Sequence, residues 1–252
     1  APQQGKNVTV KGDLGQSAAG KTDKNGELTV PEVEQTERHG VYIVGYTDGT
    51  FGPSRSMTRS EAAAIFARLL AEKNGDTIST AANTKFADIP AHAWYSGYVK
   101  YLSNNGITYG KSKTIFAPND AITRAEFTTM AVRFFDVYGD GDAEIMEQFS
   151  GFNDVSSGYW AAEYIKYAAL HGWINGYGDG SFHADREINR AEVVTIVNRL
   201  LGREADEDYI ADNLRKLNTF PDVSRKHWAY YAVMEAANAH TAVLGESESW
   251  SK

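Results

Sequence analysis

Apolar positions recur at helical spacing in short stretches separated by turn residues. Tyr95, Tyr98, Val99, Tyr101 and Leu102 share one helical face, and Trp160, Tyr164, Ile165, Tyr167 and Ala168 share another. These runs stop at Asn105-Gly106 and His171-Gly172, where glycine past the last apolar position signals a helix end. A second set of helices is predicted over Ala62 to Leu70, Phe127 to Phe135 and Val193 to Leu201. Tight turns precede two of them, Gly45-Tyr46-Thr47-Asp48-Gly49 and Gly176-Tyr177-Gly178-Asp179-Gly180. Residues 1–37 differ: Val8-Thr9-Val10 and Leu28-Thr29-Val30 read as strands, with Asn25-Gly26 between them as a hairpin-type turn.

The helical stretches belong to a repeat. Phe86-Ala87-Asp88 with Trp94, Phe152-Asn153-Asp154 with Trp160, and Phe220-Pro221-Asp222 with Trp228 share one spacing, six residues from Asp to Trp. Phe51 and Arg59, Phe116 and Arg124, and Phe182 and Arg190 share another, eight residues. Each full unit has a first half (Phe-x-Asp, Trp, helix) and a second half (turn, Phe, helix). Residues 86–140 and 152–203 are complete units. Residues 38–75 form a second half without its first, and residues 218–252 a first half without its second. This permutation predicts that the C-terminal half docks on the N-terminal one and closes a pseudo-threefold ring. The expected fold is mainly α, three helix-loop-helix modules behind a short β-rich segment, 1–37.

Each second helix opens on one motif: Thr58-Arg59-Ser60-Glu61, Thr123-Arg124-Ala125-Glu126, Asn189-Arg190-Ala191-Glu192. Thr or Asn followed three residues later by Glu is a capping box. Arg in a first helical turn opposes the helix dipole, so its threefold recurrence suggests a use. Either open helix N–H groups and a guanidinium together receive an anion, or each Arg pairs with Asp88, Asp154 or Asp222 and staples the unit. Trp94, Trp160 and Trp228 read first as core, with sugar stacking as the alternative. Tyr46 and Tyr177 read as partly exposed contacts.

Composition narrows the classes. The chain has 252 residues, is 42% hydrophobic and carries a net charge of −8, which disfavours nucleic acid or anionic lipid as a general partner. With no cysteine, thiolate catalysis, disulfides and Cys-ligated zinc are excluded. No apolar run reaches membrane-span length. The start at Ala1, without Met or a signal peptide, points to a processed protein or a piece of a larger one.

The combined pattern, Phe-x-Asp-Val…Trp-Ala…Gly-Tyr-x-Asp-Gly-x-Phe…Ile-Thr-Arg-Ala-Glu, resembles the S-layer homology module in three copies over roughly residues 38–240. The resemblance implies an extracellular protein held non-covalently on a bacterial cell wall or S-layer. It implies as ligand a secondary cell-wall polysaccharide, often pyruvylated, bound in grooves between modules by Arg59, Arg124 and Arg190. Direct peptidoglycan binding and a lattice role with self-association and no glycan are the alternatives. The candidate ligand-binding set is Arg59, Arg124, Arg190, Trp94, Trp160, Trp228, Asp88, Asp154, Asp222, Gly45, Gly110, Gly176, Tyr46, Tyr177 and Lys111. The copies are unequal. The second unit has Tyr109-Gly110-Lys111-Ser112-Lys113 in place of the Gly-Tyr-x-Asp-Gly turn, and the last half has His240 where the others have Gly. The last groove is therefore expected to be degenerate.

Other constellations carry less. Asp136 to Glu147 partly fits a calcium loop, although an acidic linker explains it as well, and Tyr138 occupies a ligand position. Asp23 to Glu27 reads as a turn, and Glu204 to Asp212 as a solvated helix or linker. The six His are scattered without ligand spacing, so no metal site and no cofactor are expected. No nucleophile elbow, phosphate loop or zinc motif points to an enzyme.

Overall fold

A computed structural model describes residues 7–11, 17–22, 28–29, 35–138, 149–244 and 248–251, with backbone alone over the first three of these ranges and at residue 244. The strands are β1 (Asn7–Lys11), β2 (Ser17–Thr22), β3 (Leu28–Thr29), β4 (Gln35–His39), β5 (His240–Leu244) and β6 (Ser249–Ser251). The helices are α1 (Arg59–Asn74), α2 (Ser96–Asn104), α3 (Arg124–Tyr138), α4 (Ala162–Leu170), α5 (Arg190–Leu201), α6 (Glu207–Asn213) and α7 (Tyr230–Ala237). The fold is mainly helical with a short β element at the N-terminus.

The N-terminal sheet is antiparallel, in the order β1-β2-β3. The expected pairing of residues 8–10 with 28–30 is corrected: β2 lies between them. Its sequence, Ser-Ala-Ala-Gly-Lys-Thr, has no apolar alternation to announce a strand. Asn25-Gly26 and the turn 23–27 lie outside the described residues, as does the calcium-like stretch beyond Tyr138.

The helices α1, α3 and α5 are set by capping boxes. Thr58 and Asn189 accept from the backbone of Glu61 and Glu192, whose side chains reach back. Thr123 and Glu126 make the same reciprocal pair at 3.1 and 3.2 Å. Just before each helix the chain passes through the centre of the molecule. There Met57, Ile122 and Ile188 are fully buried and close a cycle of backbone bonds. Met57 N–H donates to Ile188 at 2.9 Å, Ile188 to Ile122 at 3.0 Å, and Ile122 to Met57 at 2.9 Å. Phe51, Phe116 and Phe182, also fully buried, belong to the same core. Three units each too small to bury a core share this one.

The first-half helices pack outside the hub, α2 on α1, α4 on α3 and α7 on α5. α2 and α4 are followed by Gly106 (φ 74°) and Gly172 (φ 69°), and the next residue bonds back into the helix. α7 has no such glycine. Its chain leaves through Asn238 in extended conformation (φ −128°, ψ 121°) and becomes β5. β5 pairs antiparallel with β4 in the register His39↔His240, and β6 completes that sheet. The acidic stretch after Gly202 contains α6, capped by Asp206 and anchored by the buried Ile210.

Candidate functional site

Three equivalent joints hold the half-units together. The Asp88 carboxylate accepts from the backbone N–H of Phe116 at 2.9 Å and of Ala117 at 2.6 Å. Asp154 accepts from Phe182 and His183, both at 2.7 Å. Asp222 accepts from Phe51 at 2.9 Å and Gly52 at 2.7 Å. Burial alone would raise Asp154, but its two backbone donors outweigh that and hold the carboxyl below its ordinary value. Above each joint two phenyl rings meet: Phe86 on Phe116 at 5.4 Å, Phe152 on Phe182 at 5.1 Å, Phe220 on Phe51 at 5.3 Å. Gly45, Gly110 and Gly176 face these rings. A Cβ there would meet Phe220, Phe86 or Phe152 at 2.5, 2.5 or 2.4 Å, so packing alone requires glycine.

The repeated arginines are buried and point across unit boundaries. Arg59 donates from Nε to the Phe116 carbonyl at 2.8 Å and pairs with Glu126 at 3.1 Å. Arg124 donates to the Phe182 carbonyl at 2.9 Å and the Asn175 carbonyl at 3.2 Å, and pairs with Glu192 at 3.1 Å. Arg190 donates to the Phe51 carbonyl at 2.8 Å and the Val44 carbonyl at 2.7 Å. Burial lowers the pKa of Arg124 and Arg190, without threatening their charge.

Two expectations are corrected here. The staple is real, but its partners are a carbonyl and, for Arg59 and Arg124, the capping Glu of the next unit, not Asp88, Asp154 or Asp222. The first N–H groups of the helices are also not open to an anion. Those of Arg59, Arg124 and Arg190 donate to the carbonyls of Asp120, Arg186 and Arg55, and those of Ser60, Ala125 and Ala191 to Pro118, Ala184 and Pro53. The next N–H goes to the cap.

Trp94, Trp160 and Trp228 are not core. They are 54%, 57% and 65% exposed, while Trp173 and Trp250 are buried. Each stands just ahead of a first-half helix. Trp94 closes a cleft of about 200 Å³ built from all three units. Arg190 comes from the third unit, Gly45, Tyr46, Glu61 and Arg68 from the first, and Trp94 from the second. Tyr46 is half-buried and lies against the guanidinia of Arg190 and Arg55 at 4.7 and 4.5 Å.

Sequence reading missed Arg68, Arg133 and Arg199, each nine residues after a motif arginine. Arg68 lies over the Tyr98 ring at 5.0 Å. Arg133 lies between Tyr109 and Tyr164, at 4.8 and 5.0 Å. Arg199 is exposed, and Ala232 stands where the other units place Tyr98 and Tyr164. The second copy also has Lys111 in the Tyr46 position, paired with Asp120 at 2.8 Å. In the third, Tyr177 is 38% exposed, stacks near Arg124 at 5.2 Å and donates to Glu192 at 3.3 Å.

The same arrangement can be compared with known proteins. A family model described as "S-layer homology domain" matches residues 29–63, 85–128 and 151–194. The chain belongs to the S-layer homology family. It is 34% identical over 218 residues to Cell surface glycoprotein 1 of Acetivibrio thermocellus, covering 83% of this chain and 9% of that one. It is 30% identical over 233 residues to the Cellulosome-anchoring protein of the same species, covering 92% and 49%. It is 32% identical over 163 residues to the Surface-layer 125 kDa protein of Lysinibacillus sphaericus, covering 63% and 13%. The chain thus spans half or less of the length of each of these relatives. The shared S-layer homology domains give it an extracellular, cell-wall-associated location. No described helix is long and apolar enough to cross a membrane.

Proposed function

We propose that this S-layer homology region is a binding module that anchors a surface protein to the bacterial cell wall by taking an acidic, pyruvylated glycan in its inter-unit clefts. The cleft formed by Arg190, Tyr46, Arg68 and Trp94 carries the reading. It offers two cations for a ketal carboxylate and an exposed indole face for a sugar ring, with the Tyr46 ring beside Arg190. Glu61 in the same cleft opposes an anion, so the two arginines must both contribute for the carboxylate to win. The second copy keeps a cation, Arg133, between two tyrosines and has Lys111 in the Tyr46 position, paired with Asp120. The third copy keeps Tyr177 in the Tyr46 position but has Ala232 opposite Arg199, which supports a weakened site. Asp88, Asp154 and Asp222, with both oxygens on backbone donors, belong to the joints, and Gly45, Gly110 and Gly176 to their packing. We also infer that the C-terminal half-unit, 218–252, completes the N-terminal one, because Asp222 and Phe220 reproduce the contacts of Asp88 and Phe86.

The test is calorimetric titration of the chain with a pyruvylated wall disaccharide and with the same disaccharide after removal of the ketal. Saturable binding of the first and at least tenfold weaker binding of the second support the proposal. No binding of either, with retention on wall sacculi stripped of the secondary polymer, would point to peptidoglycan instead. Concentration-dependent assembly without glycan or wall binding would point to a lattice role.

A further inference from the structure

Strands β4 and β5 meet at a cluster that no local spacing announces. His39, the last residue of β4, faces His240, the first of β5, across 201 residues of sequence, with Nδ1 and Nε2 at 3.2 Å. Glu235 of α7 and Glu248, just before β6, complete the group. His39 Nδ1 lies 3.2 Å from Glu248 Oε1 and 3.4 Å from Glu235 Oε1. His240 Nε2 lies 3.2 Å from the same Glu248 oxygen and 3.3 Å from Glu235 Oε2. All four side chains place a ligand atom within 4.8 Å of the others.

From these distances we infer a divalent transition-metal site, of the zinc class, formed by His39, Glu235, His240 and Glu248. Metal bonds of about 2.0–2.1 Å set tetrahedral ligand atoms about 3.3 Å apart, which is the spacing of the five pairs above. A second observation points the same way. Glu235 is 1% exposed, and each of its oxygens faces one imidazole, His39 at 3.4 Å and His240 at 3.3 Å. A carboxylate this deeply buried needs a cation beside it. The outer contacts orient the donors inward: His240 Nδ1 donates to the Asn238 carbonyl at 3.0 Å, leaving Nε2 as a lone pair facing the centre. Glu248 is held by the backbone N–H of Glu204 at 2.9 Å and the Trp250 indole N–H at 3.1 Å. The His240 ring stacks on Trp250 at 3.7 Å.

Two imidazoles and two carboxylates balance a divalent charge and suit zinc. Calcium and magnesium call for six or more oxygens. Four buried protein ligands leave no open position, so the site is structural. It would fasten the strand entering the first unit to the helix and hairpin that end the chain, and metal binding would add to the stability of that closure.

The experiment uses the whole chain, stripped with chelator and freed of it. Zn²⁺ is titrated by calorimetry, Co²⁺ by visible absorption, and Tm is followed against Zn²⁺ concentration. The site predicts one metal per chain, the intense bands of four-coordinate cobalt, and a Tm that climbs with Zn²⁺ but not with Ca²⁺. Glu248→Gln and His240→Ala should each weaken Zn²⁺ binding more than about tenfold. If His240→Ala fails to fold, the cobalt spectrum of the parent and the near-isosteric Glu248→Gln still decide. No saturable Zn²⁺ or Co²⁺ binding would overturn the inference and leave a proton-held cluster. Binding undiminished in either folded variant would also overturn it.

Discussion

The Asp222 carboxylate holds the backbone N–H of Phe51 at 2.9 Å, although 171 residues separate them. Within the second and third units, the same bond spans 28 residues. The joint is therefore one device used three times, and only at the permuted position does it join the N-terminal half-unit to the C-terminal one. Asp222→Ala is expected to cost about 1–2 kcal/mol, the range for charge-assisted bonds at a partly solvated joint. Hydrogen exchange should speed up most over residues 40–70. Removing residues 218–252 should have the same localised effect, more strongly. Uniform loosening, or none in 40–70, would show that the ends do not depend on each other.

A second consequence concerns acid. The folded pKa of Asp154 lies below its unfolded value of 3.8, so the stability from its clamp is complete above that value and is lost as pH falls through the lower folded one. The stability difference between the parent and Asp154→Asn should therefore be flat at neutral pH and shrink below the ordinary carboxylate range. Urea denaturation at a series of acidic pH values measures it. A difference that grew on acidification would mean that Asp154 is not held ionised by Phe182 and His183.

Beside the Asp88 clamp, Ala117 adopts φ 59°, where the equivalent joint at Asp222 has Gly52 at φ 68°. That conformation costs a residue with a Cβ roughly 1–2 kcal/mol, and the freedom of glycine in the unfolded chain returns about 0.4–1 kcal/mol of it. Ala117→Gly should then stabilise the protein by about 0.5–1 kcal/mol, an uncommon outcome for a glycine substitution. Thermal or urea unfolding would show it, and a net loss would contradict the left-handed geometry at this turn.

The repeat, the capping boxes and the mainly helical class were legible because each rests on spacings within about a dozen residues. What was not legible depended on closure or on direction. Trp94, Trp160 and Trp228 are apolar residues at a helix entrance, and hydropathy cannot say whether such a ring turns inward. Their neighbours Tyr95, Ala161 and Ala229 take the buried places instead. The helix N–H groups looked available because a capping box leaves some of them unassigned, and only the ring brings the next unit's carbonyls within reach. Arg68, Arg133 and Arg199 did carry a signal, a constant offset of nine from the motif arginine, but Arg on a helix face is ordinarily solvated. β4 and its pairing with β5 had no apolar pattern at all, so nothing in the sequence brought His39 to His240.

The arginines also separate recognition from architecture. Arg190 fastens the third unit to the first through the Phe51 and Val44 carbonyls, so Arg190→Ala should lose stability and binding together and cannot by itself identify a ligand site. Arg68 and Trp94 are cleaner probes. Arg68 makes one long bond, 3.4 Å, to the Tyr42 carbonyl, and Trp94 is more than half exposed. Arg68→Ala and Trp94→Ala are each expected to weaken the pyruvylated disaccharide about tenfold or more, roughly 1.4 kcal/mol, with little change in Tm. Trp228→Ala, in the copy where Ala232 leaves Arg199 without a facing tyrosine, should weaken it far less. Calorimetry and thermal unfolding on the same three variants decide the matter. Equal losses at Trp94 and Trp228 would mean that the clefts act alike, and no loss at Arg68 or Trp94 would remove the first cleft from glycan recognition.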